Sequence, residues 1–250
     1  MRMQGNTILI TGGSSGIGRG LAEAFHARGN RVIISGRRED RLKEVCGRNA
    51  GMEYVVLDVT DGRAVNAAAL LLTRKFPELN CVFNNAGVQM QAGIDPEKFD
   101  EAAVMAEIST NVIAPLRVTA AFLPHLKTRP EATVVNVSSG LAFVPMTRFA
   151  LYCATKAAVH SWTMSLRRQL RGTSVKVVEV IPPWVDTELG GENKPKAIGD
   201  RRPMALNAFI AETMEALATD GEELAIGDAK ARWAATAPGE VKKWFKMMNP

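Results

Sequence analysis

Two spacings of apolar residues alternate along this chain. Short, almost uninterrupted apolar runs occur at "TILIT" (7–11), "RVIIS" (31–35), "YVVLD" (54–58), "CVFN" (81–84), "TVVNVS" (133–138) and "VKVVEV" (175–180). Runs of this length without polar alternation predict strands buried on both faces. Between them, 16–28, 62–75, 98–123 and 154–171 are each long enough for a crossover helix. Strand and helix in repeated succession predict an α/β fold built on a parallel, doubly wound sheet with helices on both faces. No composition break, low-complexity linker or internal repeat divides the chain, so one domain is expected over 1–250. The stretch 184–203 departs from the pattern: it holds Trp184, Gly190, Gly191, Pro195, Gly199 and Pro203 and has little periodicity. A substrate-covering loop is expected there, with plain disorder as the alternative.

Composition narrows the class. Hydrophobic residues make up 46% and charged residues 23%, values of a globular protein with a real core. No run approaches the eighteen or more apolar residues of a membrane helix, and the lead into "TILIT" is too short for a signal-peptide core. A cytoplasmic protein with no membrane partner is expected. Cys46, Cys81 and Cys153 are odd in number and form no C-x-x-C pair, and no histidine stands at zinc-ligand spacing. No metal site is therefore expected. The net charge of +5 comes from 31 basic and 26 acidic residues scattered along the chain. A small anionic ligand accounts for clusters such as Arg37-Arg38 and Arg201-Arg202 more simply than nucleic acid would.

Directly after the first predicted strand comes "TGGSSGIGRGLAEAF". Gly12, Gly16 and Gly18 allow a tight turn and close backbone approach to a phosphate, and Ser14, Ser15 and Ile17 lie in the same loop. The following helix would offer free N–H groups and a positive dipole end to a pyrophosphate. In this βαβ context the loop predicts a dinucleotide site in a Rossmann-type sheet of about seven strands. The second strand runs "VIISGRRED", with Ser35 and Gly36 where NAD sites carry an acid, then Arg37 and Arg38. A guanidinium can grip a 2′-phosphate that a carboxylate would repel, so NADP(H) is favoured over NAD(H), with Arg37 ahead of Arg38. Solvated arginines at a helix cap are the alternative.

"VVNVSSGLAFVPMTRFALYCATK" (134–156) begins as a strand and ends as a helix. Ser138 and Ser139 close the strand, Tyr152 follows thirteen residues after Ser139, and Lys156 four later. Helical i, i+4 spacing puts Tyr152 and Lys156 on one face. Ligands of open parallel sheets lie off the strands' carboxyl ends, where Ser139 stands. Carbonyl reduction builds negative charge on oxygen, which needs a proton and a hydrogen bond. Tyr152 can supply the proton if the Lys156 ammonium lowers its pKa, and Ser139 can donate to the oxygen.

Taken together, "TGGSSGIG" (11–18), "NNAG" (84–87), Asn111 in "STNVIAP", and Ser139, Tyr152 and Lys156 resemble the short-chain dehydrogenase/reductase family over about residues 5 to 190. The resemblance implies Tyr152 as acid/base, Ser139 as polariser of the substrate oxygen, Lys156 on the nicotinamide ribose and Asn111 holding a relay water. It implies Asp58 and Val59 beside the adenine, and Asn85, Ala86 and Gly87 along the cofactor cleft. Pro182, Val185 and Thr187 would border the nicotinamide, and a homodimer or homotetramer is expected. In "VIPPWVDTEL" Pro183 replaces the family's glycine; with "NNAGVQ" this is similar to the DltE-like branch, whose name carries no reaction. His160 is expected to be a satisfied helix histidine. Gln89, Met90, Phe143 and Trp184 are candidates for the substrate pocket. The reading is an NADP(H)-dependent oxidoreductase interconverting an alcohol and a ketone or aldehyde. The alternatives are an NAD-dependent alcohol dehydrogenase and a non-catalytic NADPH-binding sensor.

Overall fold

The computed structural model describes residues 1–90, 99–191, 197–198, 201–235 and 238–248. Seven parallel strands form one sheet in the order β3-β2-β1-β4-β5-β6-β7. They are β1 (Thr7–Thr11), β2 (Arg31–Gly36), β3 (Glu53–Val56), β4 (Leu79–Asn84), β5 (Ala132–Val137), β6 (Val175–Ile181) and β7 (Glu223–Ala225). The six strand runs read from the sequence all appear, within two residues at either end. β7 has only three residues and a single fully buried side chain, Leu224, so it leaves no apolar run to recognise.

Nine α-helices are described: α1 (Gly16–His26), α2 (Glu39–Arg48), α3 (Gly62–Lys75), α4 (Glu101–Ile108), α5 (Ala114–Leu126), α6 (Ala150–Gln169), α7 (Leu206–Leu217), α8 (Ala229–Trp233) and α9 (Pro238–Met248). The uninterrupted apolar character of the strands has a direct cause. Ile8 and Ile10 of β1 pack with Leu21 and Phe25 of α1 and Phe209 of α7 on one face. Leu9, between them, packs with Val118 and Phe122 of α5 and Leu166 of α6 on the other. Successive strand residues point to opposite faces, so every position meets a helix layer.

The single helix expected over 98–123 is instead two helices joined by a π-turn at Ser109–Ile113. Pro115 explains the break: it has no N–H to give the carbonyl of Asn111 and its ring crowds that carbonyl. The backbone widens, and the Ala114 N–H bonds back to the Ser109 carbonyl, five residues away. Asn111 is thereby set, fully buried, in a widened turn facing the carboxyl end of the sheet.

The strand order reverses between β1 and β4, the two sides of which lead to α1 and to the residues after Asn84. Such a switch point opens a crevice at the carboxyl ends of the strands.

Candidate functional site

That crevice is a cavity of about 690 Å³. Its walls include every residue the sequence singled out for cofactor contact: the loop from Gly12 through Gly18 apart from Gly13, Arg37, Asp58, Val59, Asn85 to Gly87, Pro182, Val185 and Thr187. Ser139, Tyr152 and Lys156 lie in the same wall.

At one end, the glycine loop and "NNAG" brace each other. The Thr11 hydroxyl donates to the Phe83 carbonyl (3.0 Å) and accepts from the N–H groups of Asn85 and Ala86 (both 3.1 Å). Asn85 Nδ2 returns a bond to the Thr11 carbonyl at 2.8 Å. Gly12 has φ +68°, and a Cβ there would stand 2.8 Å from the Ala86 Cα. At Gly18 it would stand 2.4 Å from both Asn85 Nδ2 and the Gly12 carbonyl oxygen. These glycines are therefore required by the packing of the two motifs as well as by any ligand.

The same end fits a dinucleotide phosphate. Ser15, at the N-cap of α1, makes no side-chain capping bond, which leaves first-turn amides facing the cavity. Arg38 Nη2 donates to Ser15 Oγ at 3.0 Å, and its Nη1 lies 3.6 Å from Glu188. Arg37 is more open, 68% exposed, with Nη1 at 4.0 Å from Asp58 Oδ2. Burial would raise the Asp58 carboxyl, but hydrogen bonds from Thr60 and the Arg37 charge hold it below its ordinary range.

At the other end, Ser138 and Ser139 directly follow β5. Ser139 is the cap of a 3-10 turn, Gly140–Ala142, its Oγ accepting from the Leu141 N–H at 3.1 Å. A second short turn leads into α6, whose third residue is Tyr152. Ser139 and Tyr152 are both buried and both line this end of the cavity. Lys156, one helical turn on, has Nζ 2.8 Å from the Val137 carbonyl and 5.6 Å from the Tyr152 ring centroid. Serine, phenol and amine thus converge where the sequence places them.

The electrostatics differ from the sequence expectation in one respect. Burial, reinforced by Cys153 and Glu107, drives the phenol of Tyr152 upward, opposed by the Ser139 hydroxyl. The Lys156 ammonium, over the ring, does not reverse this. Burial also pushes Lys156 down to about 8, against the opposite pull of Glu107 and Glu179.

Asn111 stands behind the wall, not in it. Its Nδ2 donates to the Val88 carbonyl at 2.8 Å and to Thr155 Oγ1 at 3.1 Å, and its Oδ1 accepts from the Val88 N–H at 2.9 Å. Glu107, one turn earlier on the same side, is fully buried; one carboxylate oxygen accepts from the Met90 N–H at 3.1 Å and the other has no partner. Burial raises its pKa, with Met90 and Lys156 opposing. Nothing in the helical pattern of 101–108 separates this acid from a solvated one.

Gln89, Met90 and Trp184 line the cavity, but Phe143 does not: its ring packs against His160 at 4.5 Å. His160 Nδ1 is 2.9 Å from Glu179 Oε2, and that bond, against burial, raises its pKa. Glu223 lies close to this pair, a grouping with no counterpart in sequence spacing. Arg167 and Trp233 donate to Glu223, so the three belong to a cross-linked ion-pair network. The described part of 184–203 does reach the cavity, through Trp184, Leu189 to Gly191, Ile198 and Arg201. Glu188 pins it to Arg41 at 2.6 Å. Pro195 and Gly199 lie outside the described residues. No helix among the described residues is long and apolar enough to cross a membrane.

Comparison with known proteins agrees with this architecture. An uncharacterized oxidoreductase DltE of Bacillus subtilis is 39% identical over all of this chain and 98% of its own. Sulfoacetaldehyde reductase 2 of Chromohalobacter salexigens is 34% identical over 94% of this chain and 90% of its own. A short chain dehydrogenase from Burkholderia cenocepacia, solved in complex with NADP, superposes over the full length of both chains with a TM-score of 0.85 at 27% identity. The family model for short chain dehydrogenases matches residues 6–197. With its motifs gathered around one crevice in the family's sheet, the chain belongs to the short chain dehydrogenase family of oxidoreductases.

Proposed function

We propose that the protein is an NADP(H)-dependent oxidoreductase that interconverts an alcohol with a ketone or aldehyde. The observation that carries this reading is the meeting of Ser139, Tyr152 and Lys156 at one end of a single cavity, with an uncapped helix N-terminus and two arginines at the other. The names of two similar proteins, one an NADP complex and one an aldehyde reductase, support the same direction.

When bound, a reduced nicotinamide supplies the hydride that adds to the carbonyl carbon. The carbonyl π pair then moves onto oxygen, and Tyr152 Oη delivers the proton that completes the alcohol. Burial keeps the phenol protonated at neutral pH, and the substrate alkoxide is a stronger base than a phenolate and can take that proton. Ser139 donates to the developing oxyanion. Lys156, anchored by the Val137 carbonyl, holds positive charge beside the phenol and binds the cofactor ribose, and Asn111 keeps the Val88 backbone in place next to the relay that reprotonates Tyr152. Arg37, with Arg38 beside it, grips the 2′-phosphate. Trp184, Leu189 and Ile198, which line the cavity, cover the substrate, and a cytoplasmic homodimer or homotetramer is the working unit.

The test is Tyr152→Phe, assayed for NADPH oxidation over a panel of aldehydes and ketones and for NADPH binding by fluorescence. Turnover falls by about 10²–10⁴-fold, the range of a lost general acid, while binding is retained. Normal turnover by the variant removes the mechanism.

A further inference from the structure

We propose that the carbonyl substrate carries an anionic group, a carboxylate, sulfonate or phosphate, a few bonds from the reacting carbon, and that Arg232 with Arg201 receives it. This rests on the oxidoreductase reading above and names the substrate class for the same site.

Arg232 belongs to the short helix α8, after the last strand, yet it lines the cavity that holds Ser139 and Tyr152, its guanidinium against Gly140. Its side chain is only 2% exposed. Asp228 fixes it through two bonds, Nη1 to Oδ2 at 3.1 Å and Nη2 to Oδ1 at 2.8 Å. Arg201, from the covering segment, bonds the same carboxylate and lines the same cavity. Burial would raise Asp228, but these two guanidiniums hold it below the usual carboxylate range. Arg232 thus brings a guanidinium, paired with Asp228, to the cavity.

The position of that charge is set by Gly140, the residue after Ser139. A Cβ on Gly140 would stand 2.7 Å from Arg232 Nε and 3.0 Å from its Nη2. Gly140 does not have a positive φ, so glycine serves here to make space for the guanidinium. Consecutive Cα atoms are 3.8 Å apart, which puts Nε within about 8 Å of the Ser139 Cα. An anion seated on this pair therefore lies a short carbon chain away from a carbonyl at Ser139 and Tyr152.

Charge along the wall points the same way. Among the described lining residues, the two carboxylates, Asp58 and Glu188, lie toward the Arg37–Arg38 end, while Lys156, Arg201 and Arg232 surround the other. Burying a guanidinium is unfavourable unless it is paired, and Asp228 pairs this one while Arg232 still lines the cavity. A planar fork of donors held by Asp228 suits a carboxylate-like group and offers nothing to a neutral alkyl tail.

The test compares two aldehydes of equal chain length, succinic semialdehyde and butanal, with NADPH. The expected kcat/KM is at least about tenfold higher for succinic semialdehyde, the value of one charge-assisted contact. Arg232→Met lowers that ratio toward one, and Arg232→Lys restores part of it. A wild-type ratio at or below one, or a ratio that Arg232→Met does not change, overturns the inference while NADPH oxidation itself leaves the oxidoreductase reading standing. Failure of both aldehydes and of the wider carbonyl panel to oxidise NADPH overturns both. Should Arg232→Met not fold, wild-type protein decides: butyrate must inhibit competitively at lower concentration than butyramide, and equal inhibition refutes the proposal.

Discussion

If Lys156 acts as an ammonium, the enzyme must lose efficiency where that amine loses its proton. Burial pushes the amine to about 8, well below a free lysine. The quantity to measure is kcat/KM for NADPH at saturating aldehyde, because it reports ionisations of the free enzyme, the state this structure describes. Below the midpoint the ammonium is present and the profile is flat; above it the profile falls about tenfold per pH unit, the slope of a single proton. The phenol cannot produce this limb, since burial moves Tyr152 upward, away from neutral pH. Lys156→Met provides the control. Its efficiency should be about 10–100-fold lower at neutral pH, the value of a charged hydrogen bond, and its profile should be flat to about pH 9.5. Circular dichroism confirms that each protein remains folded across the range. A wild-type profile without a limb near 8, or the same limb in Lys156→Met, refutes the reasoning.

Three further outcomes are expected. Arg37→Asp raises the Kd for NADPH by about 10–100-fold and leaves NADH within a few-fold, measured by fluorescence titration; equal losses for both cofactors remove Arg37 as the phosphate reader. Gly18→Ala forces a Cβ to 2.4 Å from the Asn85 amide nitrogen and the Gly12 carbonyl oxygen, lowering stability by about 1–3 kcal/mol, whereas Gly47→Ala, with open space around its Cβ, gains about 0.5–1 kcal/mol; denaturant titration separates them. His160→Ala leaves Glu179 buried without its partner and costs about 3 kcal/mol, the low end for a broken buried pair because the imidazole is partly exposed. His160 has a raised pKa in the fold, so its contribution is complete below about pH 6.5 and fades as pH rises through the folded value. The gap between variant and wild type must therefore shrink as pH rises above about 6.5, and a constant gap contradicts the ion pair.

The sequence by itself determined the sheet, the direction of its strands and the end at which a ligand would lie. Ile8, Leu9 and Ile10 are apolar in succession, and only a strand covered by helices on both faces can bury all three. It also determined the glycine loop and the Tyr152–Lys156 pair, because turn geometry and i, i+4 spacing are local. Tertiary structure alone decided what depends on residues far apart in the chain meeting across the sheet. The π-turn that seats Asn111 could in principle be read from Pro115, yet its effect, the clasp on Val88, needs the loop after β4 to arrive beside it. Glu107 and Arg232 look like surface charges in sequence, and become buried only because α4 and α8 turn those positions inward. The phenol's pKa shows the same division. Spacing places an ammonium near Tyr152, but desolvation depends on how tightly the surroundings close, and here it outweighs the charge.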